Sequence, residues 1–426
     1  RGISALRRTT DRQPFCRVLR ARFCMARRET IKVLAVTMLG TLDTTALLPV
    51  IALYAQFRGA DTLTTGVIVG LYSAVHAPAN LVFGRLVDRW GRKVPMGLGL
   101  LWDAVSVFLY SLATTPLLLA FVRVSHGIGG GLVGPSTMSL AADTATEERK
   151  GRAMAVYGMS IALAVVVGTG IATPVTTRLG YAALFYILST GLVAGFLISR
   201  TIREPRISRQ LRPIDRPRLL RYLRRPEPLA GYAGIFSLHF VLGTFVTLAP
   251  LYLVGERGFG VTVVGLSFFT FAVASFLFHY LGGVLADRHG SALPTLVGLA
   301  VVAVSMAAIP VARELPVLLA LMALFGLGHG FVFPGSSALV SRRADPDQLG
   351  FVTGLFYAIL VIGVALGAPA MAAVASVSSI GIGIAGSSAI GIVGIAFAAR
   401  AWLHPAERPA ASVANSAATE PDLRKS

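Results

Sequence analysis

Apolar runs of about twenty residues, each closed off by charged or turn-forming residues, recur along this chain from Ile31 to Trp402. Wound as an α-helix that rises about 1.5 Å per residue, such a run crosses the roughly 30 Å of a bilayer's hydrocarbon. There every backbone amide must be satisfied inside its own segment, which leaves helices or closed barrels. Barrel strands would read as short alternating segments, and these runs are continuous, so helices are predicted. The spans fall at about 31–57, 64–87, 94–114, 117–141, 153–174, 181–199, 229–254, 263–285, 293–311, 315–339, 351–374 and 379–402. A hydrophobic share of 54% and a mean hydropathy of +0.71 are too apolar for a domain that folds in water. The expected fold is an all-α membrane protein with twelve transmembrane helices.

The net charge of +19 would suggest nucleic acid if the basic residues formed a surface. They do not. Only Arg58, Arg178, Arg257 and Arg313 fall in loops on one side of the predicted spans, and Arg123 lies inside a span; the remaining Lys and Arg lie on the other side. That asymmetry is the positive-inside signal and places both termini in the cytoplasm of a multi-pass inner (plasma) membrane protein. It excludes a nucleic-acid partner and favours contact with anionic lipid headgroups. Cys16 and Cys24 are the only cysteines and lie on the reducing side, so no disulfide is expected. Residues 1–24 read as a disordered basic tail or an over-extended reading frame ahead of Met25, with no cleavable signal peptide.

The segment 200–228, rich in Arg and Pro, cannot span and reads as a cytoplasmic linker. The organisation is then a basic segment 1–30, a six-helix bundle 31–199, the linker, a second six-helix bundle 229–402 and a disordered tail 403–426. The bundles resemble each other. GRLVDRWGRK from Gly84 to Lys93 returns as GVLADRHGSA from Gly283 to Ala292, a constant offset of 199. At the same offset Gly127, Gly131, Pro135, Gly151 and Gly168 meet Gly326, Gly330, Pro334, Gly350 and Gly367 without a gap. Such register implies a duplicated half and two pseudo-symmetric bundles, the arrangement of transporters that rock one half against the other.

GRLVDRWGRK matches the pattern G-x-x-x-D-R-x-G-R-R/K and resembles the loop between the second and third helices of the major facilitator superfamily. RVSHGIGGG at 123–131 is similar to the fourth-helix pattern R-x-x-Q-G of its twelve-helix drug and proton antiporters, with His126 in place of Gln. The fifth helix departs from that subgroup, since VVVGTGIATP lacks an adjacent Gly-Pro pair. The resemblance implies that the first and fourth helices line a central cavity. It also implies that Asp88 faces the start of the eleventh helix near Gly350.

A gate is expected from Gly84, Asp88, Arg89, Gly91, Arg92 and Lys93, with Asp143 as the nearest acid and Asp287 and Arg288 as the weaker repeat. Gly84 would let a neighbouring helix approach, while the charges hold the inner ends of the two halves together in one conformation and release them in the other. Inside the spans, ionised groups cost about 2.5 to 3.5 kcal/mol each on insertion scales, so each needs a partner or a purpose. Asp43 and Arg123 reach similar depth, so they are expected to share the cavity and pair, with Asp43 loading and releasing the coupling proton. Asp103 is a third coupling candidate or a buried polar packing contact, since the resemblance implies that the third helix is peripheral. His126, His239 and Tyr54 are candidates for substrate contact, and the remaining span histidines, His76, His279 and His329, for packing.

There is no G-x-x-x-x-G-K-[ST] phosphate loop, no H-E-x-x-H and no paired cysteine motif. No cofactor, metal or enzymatic activity is expected. The reading is a monomeric secondary transporter working by alternating access, most simply a proton-coupled exporter of small amphipathic organic compounds. Alternatives are a proton symporter or uniporter, and a lipid flippase or intramembrane enzyme.

Overall fold

In hydrocarbon no water-driven force presses helices together, so their contact rests on van der Waals fit and on small residues that let backbones approach. The computed structural model describes residues 13–143, 150–204, 216–342, 344–345 and 348–403; at 13–27, 85, 88, 89, 150–153, 155 and 216 it describes the backbone alone. Among the described residues every regular element is a helix. The first half comprises α1 (Gln13–Leu47), α2 (Ile51–Phe57), α3 (Thr62–Trp90), α4 (Lys93–Tyr110), α5 (Pro116–Asp143), α6 (Lys150–Leu179) and α7 (Tyr181–Arg200). After α8 (Arg216–Leu223), the second half comprises α9 (Pro226–Leu251), α10 (Val261–His289), α11 (Ala292–Ala308), α12 (Leu315–Ser341), α13 (Leu349–Val377), α14 (Ile380–Gly386) and α15 (Ser388–Leu403).

Eleven of the twelve expected spans meet the length and hydropathy of a membrane crossing. The third, α4, has 18 residues that include Lys93 and Asp103, and these dilute an otherwise apolar helix. Three crossings are interrupted, the twelfth of them between α14 and α15 at Ser387. The first breaks between α1 and α2 at Pro49, which has no N–H to continue the helix. The seventh loosens after Pro250 into a π-helical turn at Tyr252–Glu256. Successive helices alternate in direction, so Arg92, Lys93, Asp143, Arg200, Arg225 and Arg342 gather at one end of the bundle, which we call the basic end.

Part of the linker is ordered. α8 buries Leu219 and Tyr222, and the Tyr222 hydroxyl donates to Val340 O at the end of α12. Burial pushes that hydroxyl up to about 12, so it keeps its donor proton. Residues 205–215, 1–12 and 404–426 lie outside the described residues, as do the expected terminal tails within them.

The offset of 199 holds in space. A β-carbon on Gly127 of α5 would lie 2.6 Å from Tyr72 O of α3, and Gly326 of α12 abuts Phe271 O of α10. Gly99 of α4 faces Gly129 O at 3.1 Å, and Gly298 of α11 faces Gly328 O at 2.7 Å. Gly168 admits the α1 backbone at Ala46 N (2.8 Å) to α6, and Gly367 admits that of α9 at Phe240 to α13. Each pair differs by 199, so the repeated glycines make the same helix contacts in both halves. The halves meet where α3 packs on α13 and α6 on α10. Far from the basic end these contacts are tight: a β-carbon on Gly66 would lie 2.8 Å from Ala368 O, and one on Gly70 would lie 2.9 Å from Ala365 O. Gly170 meets the Phe269 ring at 3.2 Å, and Gly265 meets Thr173. Toward the basic end, Gly84, Gly158, Gly283 and Gly354 of the same four helices have no atom of the described residues within 4 Å of such a β-carbon.

Gly298 and Gly328 each face the other's carbonyl at 2.7 Å, so α11 and α12 cross backbone to backbone. Gly298→Val should lower thermal stability by about 1 to 3 kcal/mol through overpacking. Gly255→Ala, where a β-carbon meets nothing within 4 Å, should leave the melting temperature of the detergent-solubilised protein unchanged.

Candidate functional site: a buried polar cluster in the first half

α5 carries four glycines in the five residues from Gly127 to Gly131, and they leave room for polar side chains of its neighbours. The Asp103 carboxylate and the Trp102 ring from α4 occupy the space a side chain on Gly129 would take. The Tyr72 hydroxyl and the His76 ring from α3 occupy that of Gly130, at 2.6 and 2.9 Å. The glycine run reads in the sequence as a packing seam only; it is also the cradle of the site.

Asp43 from α1 enters this space from the other side and is buried, with 1% of its surface exposed. Its Oδ2 lies 2.8 Å from His126 Nε2 on α5, and His126 is wholly buried. His126 Nδ1 lies 3.0 Å from the Tyr110 hydroxyl of α4, which lies 3.4 Å from Arg123 Nη1. Arginine can only donate, so the Tyr110 oxygen accepts from Arg123 and its own proton goes to His126 Nδ1. The neutral ring then carries its proton on Nε2 and donates it to Asp43. One direction of hydrogen bonding thus runs Arg123, Tyr110, His126, Asp43.

Asp43 and Arg123 therefore do not pair directly, contrary to the sequence expectation. The guanidinium turns to α3, where Nε donates to Ile68 O at 3.1 Å and Nη2 to Val69 O at 2.9 Å, and it lies over the Tyr72 ring at 5.0 Å. The shared depth was legible; the intervening imidazole was not placed, although His126 lies three residues along the same helix face as Arg123. Asp103, expected at the periphery, has 1% exposure, and its Oδ1 has no hydrogen-bond partner among the described residues. Asp43, Asp103 and His126 each bring one atom to within 4.8 Å of the others, close enough for the charge on one to act on the other two.

The cluster is buried among α1, α3, α4 and α5 of the first half in this conformation. Thr44 Oγ1 lies 3.3 Å from both Asp43 Oδ1 and the Tyr72 hydroxyl, and Thr44 and Tyr72 are half-buried. Those two hydroxyls lead from the carboxylate toward the bundle surface. His126 has both ring nitrogens engaged inside the cluster and is not a substrate contact in this conformation. Tyr54 is not one either: its hydroxyl donates to Tyr110 O at 2.6 Å, with 1% exposure beneath Tyr181 and Phe185. His239 is buried in the second half, where its Nδ1 lies 3.0 Å from Ile235 O.

The gate residues are bound within their own halves. Gly91 closes α3 at a φ of +84°, where only glycine is unstrained. The adjoining Arg92 N–H donates to Glu204. Arg92 Nε donates to Asp143 Oδ2 at 2.9 Å, a pair almost wholly buried, and Lys93 Nζ donates to Arg200 O at 2.6 Å. In the second half Arg342 pairs with Asp287, both exposed, and Arg288 is exposed. Arg342 stands 199 residues after Asp143, but its partner Asp287 corresponds to Asp88 and Arg92 to Ser291, so the second bridge uses a different position of the repeat. Gly84 and Gly350 lack the expected neighbour, because the faces that would meet are apart here. The side chains of Asp88 and Arg89 lie outside the described residues.

The profile of the Major Facilitator Superfamily matches residues 33–312 and 232–425. An uncharacterized MFS-type transporter of Methanocaldococcus jannaschii is 23% identical over 330 residues, 75% of this chain and 84% of that protein. A chromaffin granule amine transporter of Rattus norvegicus is 24% identical over 314 residues, 73% of this chain; the match spans 60% of that protein's length. The inward-facing, unoccupied crystal structure of a bacterial homolog of the human lysosomal transporter Spinster superposes with a TM-score of 0.77 at 14% identity, covering 91% of this chain and 99% of that one.

Tyr110→Phe should remove the hydroxyl that joins Arg123 to His126 and leave a buried ring nitrogen unpartnered. The expected loss is about 1 to 3 kcal/mol, read by thermal or chemical denaturation. Gly129→Ala, which displaces Asp103, should destabilise comparably.

Proposed function

The chain belongs to the Major Facilitator Superfamily, and on that premise we propose that it is a secondary transporter in which protonation of the Asp43–His126 pair is coupled to alternating access. That it is a membrane carrier rather than an enzyme follows from the family; coupling, direction and substrate are our reading. The observation that supports coupling is the buried carboxylate–imidazole contact at 2.8 Å, with Asp103 close by and Arg123 joined through Tyr110. Two acids, one guanidinium and one imidazole are close to electroneutral when a single proton resides among them. Removing that proton leaves an uncompensated charge in a low-dielectric interior, which favours a conformation that admits water. Thr44 and Tyr72 give the proton its route.

The supporting observation for alternating access is the unequal fit of the halves. Contacts step antiparallel from Gly66 with Ala372 to Gly70 with Pro369, and the same register continued along α3 sets Gly84 opposite Gly354. Neither has a neighbour within 4 Å, so this conformation is open toward the basic end, taken as cytoplasmic by the charge asymmetry of the loops. The opposite conformation would close Gly84 on Gly354 and part Gly66 and Gly70 from α13.

Export of amphipathic cations is the direction and substrate class we favour. The second half carries partly exposed aromatic side chains such as Phe236, Phe333 and Tyr357, and the central parts of its membrane spans contain no acid. Aromatic faces attract organic cations without fixing one shape, and the similarity to an amine transporter supports the same class. Proton symport of a small organic solute is the competing reading.

Proteoliposomes with an imposed pH gradient and a panel of cationic dyes test the coupling. Asp43→Asn should abolish uphill dye movement while leaving downhill exchange; unchanged uphill transport would remove Asp43 from the mechanism. For alternating access, Gly84→Cys with Gly354→Cys should be placed in a chain whose Cys16 and Cys24 are replaced. The pair should cross-link under oxidation and stop transport, with reduction restoring it, whereas failure to cross-link under any gradient would refute the predicted closure.

A further inference from the structure

Three of the span histidines meet in the second half, well away from the Asp43 cluster. His329 on α12 stands between His239 on α9 and His279 on α10, with ring centroids 5.8 and 5.5 Å away. Each ring has its Nδ1 on an oxygen: His239 on Ile235 O at 3.0 Å, His279 on Ser275 O at 2.6 Å and His329 on Ser275 Oγ at 2.8 Å. Carbonyl oxygens only accept, so His239 and His279 carry their protons on Nδ1 and present Nε2 lone pairs. Ser275 Oγ also lies 3.4 Å from His279 Nδ1, so one serine tethers two of the rings. Phe271 meets His329 edge-on at 5.4 Å, and Phe333 lies beside His279 and His329. His239 is buried, whereas His279 and His329 keep part of their surface exposed.

The duplicated scaffold does not require these residues. At the offset of 199 the first half has Gly40, Asn80 and Gly130 in their places. Nor do the surrounding helices supply a counter-charge among the described residues. α11 and α14 have no ionisable side chain, α13 offers only Tyr357, and α6 offers Tyr157 near its start and Arg178 at its far end. The groups of α8, with Glu227, Tyr232, Asp287, Arg288, His289, Arg342 and Arg400, lie toward the basic end; Tyr54, Tyr252 and Glu256 lie toward the other. Tyr280 follows His279 on α10 but is exposed, and Tyr72 and His76 on α3 belong to the first-half cluster.

We propose that His239, His279 and His329 form a second proton-binding site, which takes up one proton shared among the three imidazoles. The proton adds to a free Nε2 lone pair on an exposed edge, forming one N–H bond and breaking none within the protein. A neutral neighbouring imidazole stabilises the resulting cation by accepting from it, the one form of stabilisation available where no acid is present. Each half would then have its own proton site against equivalent helices, α5 and α12, built from acids and arginine in one and from imidazoles in the other. This goes beyond coupling at Asp43 and does not depend on it.

The test is proton titration of the full-length protein in lipid nanodiscs, with histidine labelled at the ε1 carbon and followed by NMR without transport substrate. Single His→Gln variants assign the resonances. The expected result is that His329→Gln shifts the midpoints of both His239 and His279 by about one pH unit, as interacting sites require. Ser275→Ala, which keeps all three rings, should move His279 and His329. The same behaviour is expected in an Asp43→Asn background, so loss of coupling at Asp43 leaves this result standing. If none of the three titrates between about pH 4 and 9, or if His239 and His279 ignore both substitutions, the shared site is refuted. Should His329→Gln not fold, the Ser275→Ala arm decides the matter alone.

Discussion

Close approach of helix backbones, made possible by residues without side chains, is the constraint on which this architecture depends. In a soluble bundle, burial of apolar surface would supply the attraction and tolerate an alanine or a leucine at many crossings. Among lipid tails that attraction is absent, and fit alone remains. The glycines at 127 and 99 therefore return at 326 and 298 with the equivalent backbone neighbours, and Gly168 returns as Gly367 against the equivalent helix. The contact that allows helices to meet also admits polar groups, because a gap beside a glycine can be filled from the neighbouring helix. Asp103 beside Gly129 is the clearest case, and the site is in that sense a by-product of packing.

Length, hydropathy and the offset of 199 were enough to read the helices, their alternation and the duplication, since these depend on composition along the chain. The depth of Asp43 and Arg123 was legible for the same reason, as depth is a count of residues from a helix end. Their partners were not. Which side chain faces which depends on the rotation of each helix about its axis, and apolar residues all around a membrane helix hide that rotation. The short third span was taken as peripheral, whereas Gly129 admits it closely enough to bring Asp103 and Tyr110 inward. A signal was present: four glycines in five residues exceed what one helix crossing needs.

The two halves show how one scaffold can hold different chemistry. In the first, acids and a guanidinium balance each other across α1, α4 and α5, with an imidazole between them. In the second, the equivalent helices hold imidazoles and aromatic rings, with acids only at helix ends and in loops. The glycine contacts persist through the exchange, because the polar side chains fill space beside the glycines without parting the backbones that meet there. Pseudo-symmetry therefore describes the framework of this protein and leaves its electrostatics free to diverge.

The two bridges at the basic end differ in exposure. Arg92 and Asp143 are sealed from solvent, whereas Asp287 and Arg342 stand in it. Mobile ions weaken attraction between exposed charges within about 10 Å at ordinary salt and scarcely reach a buried couple. Ionic strength should thus act on the two halves unequally, loosening the exposed pair of one while the buried pair of the other stays shut.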